Sequence, residues 1–300
     1  MTDRGERPGA GPDKTPAAPP AGPSSGRMSR WADLGPRLIS GLVMAGGGLL
    51  LIWAGGWWFA GLAILAAGLM VWELAAMLSP AARAARVLGL MAGACLLGAL
   101  ALAQFWPGQG GGVGYWGWGW GGLLLLAPAL ASVAVPMRDR LLFALYSFAV
   151  LQAAYGLVSF RADHGVLWLG WLVALVVVTD IAGYFAGKAL GGPKFWPRVS
   201  PKKTWSGTVA GWVGAALVGL AFGMFTTAGP DLPWISAAVA LASQMGDIAE
   251  SAIKRRAGVK DSSRLIPGHG GLLDRFDGLL GAALLMLLVA QLVDVPVVRV

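Results

Sequence analysis

The chain has 300 residues, 56% of them hydrophobic and 13% charged, with a mean hydropathy of +0.66. Soluble domains carry about 25% charged residues, so a water-soluble fold is excluded, and 46 Gly with 15 Trp suit helices packed together in lipid. The 23 Lys and Arg against 15 Asp and Glu leave a net charge of +8, so the scarce charges are strongly biased in sign.

In chain order, residues 1–29 are rich in Pro, Gly, Ser and charge without apolar periodicity. Such a stretch cannot bury enough surface to offset its conformational entropy, which predicts a disordered cytoplasmic tail. It is not a signal peptide, because its charged region is too long and a full-length span follows. Apolar runs of the roughly 20 residues needed to cross about 30 Å of hydrocarbon predict helices near 38–54, 57–78, 87–106, 116–135, 141–160, 166–186, 207–227, 233–253 and 272–293. The class is therefore an all-α polytopic membrane protein of about nine transmembrane helices. Only Gly55 and Gly56 separate the first two, and a Gly and Trp repeat from Tyr115 to Gly122 resembles an interfacial aromatic belt. Cys95 is alone in an apolar run, where a small packed side chain is expected.

The basic residues test this count. They cluster in the tail through Arg37, at Arg83 and Arg86, at Arg138 and Arg140, between Lys188 and Lys203, and between Lys254 and Arg275. With the N-terminus in the cytoplasm, a nine-helix arrangement puts all of them except Arg161 and Arg299 on the cytoplasmic side, as positive-inside orientation requires. Two connections on that side, Gly187 to Trp205 and Lys254 to Gly271, are much longer than the others, and a long ordered loop beside short ones points to function.

Ionisable groups inside spans are costly and suggest function. Six acids qualify: Glu73, Asp180, Asp247, Glu250, Asp274 and Asp277. Glu73 lies near the cytoplasmic end of its helix, where its carboxylate can reach the interface, so a bland role is expected. Asp247, Glu250, Ser251 and Lys254 recur at steps of three, one and three residues and share a helix face, as do Asp274 and Asp277. Asp247 precedes Lys254 by seven residues, about 10 Å of helix, and Asp274 enters from the same boundary, so the two carboxylates can meet. Clustered acids repel unless neutralised. A divalent ion held by Asp247 and Asp274 would neutralise them, oxygen ligands selecting Mg2+ or Mn2+ over zinc. Ion pairs with Lys254, Arg255 and Arg275 would do so equally well.

The basic loops tilt this choice. Ser200, Pro201, Lys202, Lys203 and Thr204 gather hydroxyls and ammonium groups just before a helix start, where free N–H groups favour anions. Lys254, Arg255, Arg256, Lys260 and Arg264 lead into Pro267, Gly268, His269, Gly270 and Gly271, whose glycines permit close backbone approach to a ligand. Carboxylates, metal, Lys and Arg and a glycine turn are the components of phosphoryl transfer. Basic residues alone would be read as topology and attraction to anionic lipid. No GxxxxGK[ST], GxSxG or HExxH motif occurs, so a P-loop ATPase, serine hydrolase or zinc protease of those kinds has no support. Gly183 with Gly187, and Gly219 with Gly223, mark close helix packing.

The segment SAIKRRAGVKDSSRLIPGHGGLLDRFD, Ser251 to Asp277, closely resembles the C-terminal signature of phosphatidate cytidylyltransferases, the CDP-diacylglycerol synthases. Ser251, Lys254, Arg255, Lys260, Asp261, Pro267, His269, Gly270, Gly271, Asp274, Arg275 and Asp277 all stand in register. Asp180, Tyr184, Gly187 and Lys188, then SPKKTWSG from Ser200 to Gly207, match a second feature, with one departure: many members have Glu where this chain has Ser206. The resemblance covers roughly the C-terminal 120 residues.

It implies a reaction of CTP with phosphatidic acid giving CDP-diacylglycerol and pyrophosphate, dependent on Mg2+, in a homodimer of the bacterial cytoplasmic membrane. No nucleic-acid partner is expected. The expected assignments are Asp247 and Asp274 as metal ligands, supported by Asp277 and Asp180, with Lys254 catalytic beside them. Lys202, Lys203, Arg255, Lys260 and Arg275 would meet the phosphates. Ser200, Thr204, Ser251, Asp261, His269, Gly270 and Gly271 would complete the substrate pocket. The expected organisation is a tail at 1–29, N-terminal helices over 30–165 and a catalytic membrane region over 166–300. An ion-coupled transporter is the rival from another class, and a different lipid phosphate is the rival substrate.

Overall fold

The computed structural model describes residue 43 and residues 46–105, 120–266 and 270–296. The predicted tail therefore lies outside the described residues, as do His269, most of the first predicted span's beginning and most of the Gly and Trp repeat. A helical stretch over 46–54 (α1) is followed by α2 Gly56–Leu78, α3 Ala82–Phe105, α4 Trp120–Ala131, α5 Arg140–His164, α6 Val166–Leu190, α7 Trp205–Phe225, α8 Leu232–Ala257 and α9 Leu273–Val289. Among the described residues, α2, α3, α5, α6 and α7 are long and apolar enough to cross a membrane. Each predicted apolar run overlaps one of the helices α1 to α9 among the described residues. Their length follows from the solvent: in hydrocarbon each backbone N–H and C=O must find its partner within the helix.

The boundaries moved outward at charged ends. The helix predicted from 87 starts at Ala82, so Arg83 and Arg86 ride on its first turns, which long side chains permit because they can reach back to the interface. Likewise α6 runs to Leu190 and α8 to Ala257, so Lys188 and then Lys254, Arg255 and Arg256 sit in last helical turns, where cations favour the negative dipole end. The two long connections are thus shorter than the sequence suggested. The all-helical expectation has one exception. Strands β1 Lys194–Trp196 and β2 Ser200–Thr204 pair antiparallel, with Lys194 opposite Thr204 and Trp196 opposite Ser200.

Small residues set how the helices meet. Gly183 and Gly207 approach so closely that a Cβ at Gly183 would stand 3.3 Å from the Gly207 carbonyl, bringing α6 against α7. Gly219 packs on Ser236 and the Leu232 carbonyl of α8, whereas Gly223 faces open space, so the packing reading holds for Gly219 and fails for Gly223. On the α8 and α9 seam, a Cβ at Gly246 would overlap the Asp277 carbonyl and one at Gly281 would overlap that of Ala242. Two polar ties reinforce the frame. Trp212 Nε1 donates to Gln244 Oε1 at 3.0 Å, joining α7 to α8, and Arg161 donates from Nε to the Ile52 carbonyl at 2.7 Å and from Nη2 to that of Trp53 at 2.8 Å. Arg161 thus satisfies carbonyls that the end of α1 leaves unpaired.

At the opposite end, the basic connections are tied together. Arg138 N donates to the Leu78 carbonyl at 3.0 Å, Ser79 Oγ to that of Pro136 at 2.8 Å, and Arg256 pairs with Asp139 at 2.7 Å. That end carries the site.

Candidate active site

Three groups of side chains meet where α8 ends and α9 begins. In the first, Asp247 pairs with Lys203 of β2 and accepts from Ser251 Oγ, one turn on, at 3.3 Å. The hairpin makes this contact possible. Thr204 ends β2 and caps α7, its hydroxyl accepting from Gly207 N at 3.3 Å, the N-cap role that Thr fills well. Ser206 Oγ lies 3.0 Å from Thr204 Oγ1 and donates to the Gly191 carbonyl. Ser206 therefore holds the hairpin base to the end of α6. Asp180 of α6 and Asp277 of α9 both interact electrostatically with Asp247 and Lys203. The Gly246 and Gly281 seam is what lets Asp247 and Asp277 face each other from touching backbones.

The second group is a buried triad. Lys254 Nζ bridges Glu250 at 2.5 Å and Asp274 at 2.7 Å, with the Glu250 side chain fully buried. Asp274 also accepts from Ser262 N at 2.9 Å, Ser262 Oγ at 3.1 Å and Gly271 N at 2.8 Å. Both of its oxygens are therefore engaged by the loop and Lys254. Gly270 has φ +84, and a Cβ there would stand 2.7 Å from Asp274 Oδ2, so conformation and space both demand glycine.

The third group was not foreseen. Glu73 is fully buried rather than reaching for the interface. It accepts from Ser263 Oγ at 2.6 Å, Ser262 Oγ at 3.1 Å, Leu272 N at 2.9 Å and Leu273 N at 2.7 Å. The last two are unpaired donors at the α9 N-terminus, where the helix dipole also favours a carboxylate. Its partners lie 189 to 200 residues away in sequence, so no local pattern could reveal them.

The remaining predicted residues are dispersed. Ser200 is half-buried in β2, and Lys202, Lys260, Asp261 and Arg275 are exposed around the rim. Arg255 is also exposed and donates to the Val259 carbonyl at 3.2 Å. Among the described residues no cluster of three or more His, Cys, Asp or Glu side chains is arranged to hold a metal ion.

Five helices long and apolar enough to cross a membrane among the described residues, with acids and lysines paired at the basic end of the bundle, define a multi-pass membrane protein. The sequence model of the Cytidylyltransferase family matches residues 35–293, and the chain belongs to that family. The phosphatidate cytidylyltransferase of Brucella suis is 46% identical over 148 residues, 48% of this chain and 55% of the relative. That of Helicobacter pylori is 38% identical over 169 residues, 54% of this chain and 61% of the relative. That of Staphylococcus epidermidis is 32% identical over 191 residues, 61% and 73%. The match to the Brucella protein thus spans about half of that protein's length.

Proposed function

We propose that the chain is a phosphatidate cytidylyltransferase. An oxygen of the phosphatidic acid phosphate attacks the α-phosphorus of CTP, the bond from that phosphorus to the bridging oxygen breaks, and pyrophosphate leaves as CDP-diacylglycerol forms. The observation that carries the reading is the pairing of Asp247 with Lys203 beside Asp277 and Asp180, at the end of the bundle where the basic connections gather. No general base is needed, because a phosphate monoester is already largely ionised near pH 7.

Lys203 is poised to exchange its carboxylate partner for a substrate phosphate, since charge-assisted bonds to phosphate match those to carboxylate. Lys202, Lys260, Arg255 and Arg275, exposed on the rim, raise the local concentration of an anionic nucleotide. Lys254, held by Glu250 and Asp274, ties the end of α8 to the start of α9 and, through Asp274, to Ser262 and Gly271, beside which Gly270 would meet the nucleotide. Ser251 holds Asp247 in its rotamer, and Ser200 and Thr204 fix the hairpin that carries Lys203; a nucleotide contact is proposed for Asp261 and for His269, which lies outside the described residues.

The donor set fits Mg2+, because it consists of carboxylate oxygens and because Mg2+ is usually bound by one or two carboxylates plus substrate phosphates. Asp247 and Asp277 are the best-suited ligands. Asp274 joins them only by giving up donors it already holds. The bound ion would stabilise charge on the phosphates in transfer.

We further propose nine spans with a cytoplasmic N-terminus, the bacterial cytoplasmic membrane as location, and a homodimer. Purified protein incubated with labelled CTP, Mg2+ and a panel of lipid phosphates tests the reaction. Pyrophosphate release with phosphatidic acid is expected; release with another lipid phosphate alone reassigns the substrate, and none with any lipid phosphate refutes the reading. Asp247→Asn and Asp277→Asn should abolish incorporation while the protein stays folded in membranes, and near-normal activity in both would remove the metal assignment.

A further inference from the structure

Tyr146 lies on the second turn of α5, in the half of the chain that the signature motifs do not reach. Its ring packs against the hydrophobic core. Its hydroxyl is buried and has no hydrogen-bond partner among the described residues, although Glu250, Asp277 and Asp247 are its electrostatic neighbours. A phenol facing acceptors in a dry site would ordinarily donate to one of them, because a buried, unpaired hydroxyl is destabilising. This one lies within electrostatic reach of the acidic site and is left without a partner among the described residues, which is the arrangement expected where a ligand supplies the acceptor.

The surroundings say which ligand. Immediately deeper, an apolar cavity of about 380 Å³ opens between α1, α2, α5, α6 and α9. Its wall begins with Val150, one turn or about 6 Å along α5 from Tyr146, and with Phe276, the neighbour of Asp277; Ala154 and Leu280 continue it. Its rim residues Val43 and Leu65 are 68% and 61% exposed, so it opens sideways into lipid rather than toward water. A polar end next to an apolar chamber that opens into the bilayer matches an amphiphile, whereas a nucleotide arrives from the aqueous face.

We propose that the Tyr146 hydroxyl donates a hydrogen bond to the phosphate of the lipid substrate, with an acyl chain of that lipid lying in the cavity below. The inference rests on the cytidylyltransferase reading. It adds a substrate contact from the N-terminal half and assigns the chain-binding chamber.

The test uses the full-length protein in mixed micelles. Wild type is measured first: if it makes no CDP-diacylglycerol, the cytidylyltransferase reading fails and this inference with it. If wild type turns over, Tyr146→Phe should raise KM for phosphatidic acid roughly tenfold, the scale of one hydrogen bond to a charged group. KM for CTP should stay within about twofold. A Tyr146→Phe enzyme with unchanged KM for phosphatidic acid, or with both KM values raised alike, overturns the hydroxyl's role even if its melting temperature falls. Ala154→Phe, which fills the chamber, carries the test should the first variant not fold. It should raise KM for dioleoyl phosphatidic acid several-fold and leave that for the dihexanoyl form unchanged; equal effects on the two, or none, overturn the assignment of the chamber.

Discussion

Replacing Glu73 probes how the N-terminal helices hold the site. Glu73→Ala removes an acceptor from four donors at once. Two of them can be satisfied otherwise: Ser262 Oγ also donates to Asp274, and Ser263 is only half-buried, so its hydroxyl can donate to water. The N–H groups of Leu272 and Leu273 have no other partner among the described residues, and Leu273 is fully buried. Each stranded buried donor costs about 1–3 kcal/mol, so the alanine variant should lose about 2–6 kcal/mol. Glu73→Gln keeps the volume and one carbonyl acceptor but turns an N–H toward the other donors, which leaves about half that loss, about 1–3 kcal/mol. Thermal unfolding in detergent, followed by size-exclusion recovery, should rank wild type above Gln above Ala, with CTP turnover falling in the same order. An alanine variant as stable and active as wild type would refute the clamp, and a Gln variant no better than Ala would refute the counting of acceptors.

Other perturbations separate chemistry from framework. Lys203→Met should leave Asp247 uncompensated and lower kcat/KM for CTP at least tenfold in a steady-state assay, because one partner of a partly buried pair is then stranded. Gly246→Ala forces α8 from α9 at the Asp277 carbonyl and should cost about 1–3 kcal/mol of stability, read as a lower melting temperature together with reduced turnover. Thr204→Val removes the α7 cap and should cost about 1 kcal/mol, seen as a modest fall in melting temperature. Arg256→Ala, breaking an exposed pair with Asp139, should change stability by less than about 1 kcal/mol in the same melting assay.

The helices were legible because hydrocarbon forces each crossing to declare itself as an apolar run, and the polar sites at Asp247 and Asp274 stood out against that background. What stayed hidden depends on pairing at a distance. Glu73 is a lone acid near a helix end in sequence, and only the return of the 262–273 segment turns it into a cap. Gly246 and Gly281 form no repeat within one helix, since their closeness is across a seam. The hairpin escaped notice because β1 has three residues, too few for an alternating pattern, and its strand character comes from its partner. Asp274 was legible as an acid at the start of an apolar run, but its engagement with the loop required knowing where Ser262 lies. Tyr146 gave no signal, for an aromatic on an apolar helix face reads as core.

The glycine seam between α8 and α9 also constrains motion. With the backbones touching at Gly246 and Gly281, neither helix can rotate or slide without collision, and Asp247 and Asp277 therefore travel as one rigid unit. The β1 and β2 hairpin reaches these acids through Lys203, while its base is held to α6 and α7 by Ser206 and Thr204. Under the proposed reaction, Lys203 could therefore exchange Asp247 for a substrate phosphate by moving its side chain alone, against two acids whose spacing the helix seam fixes.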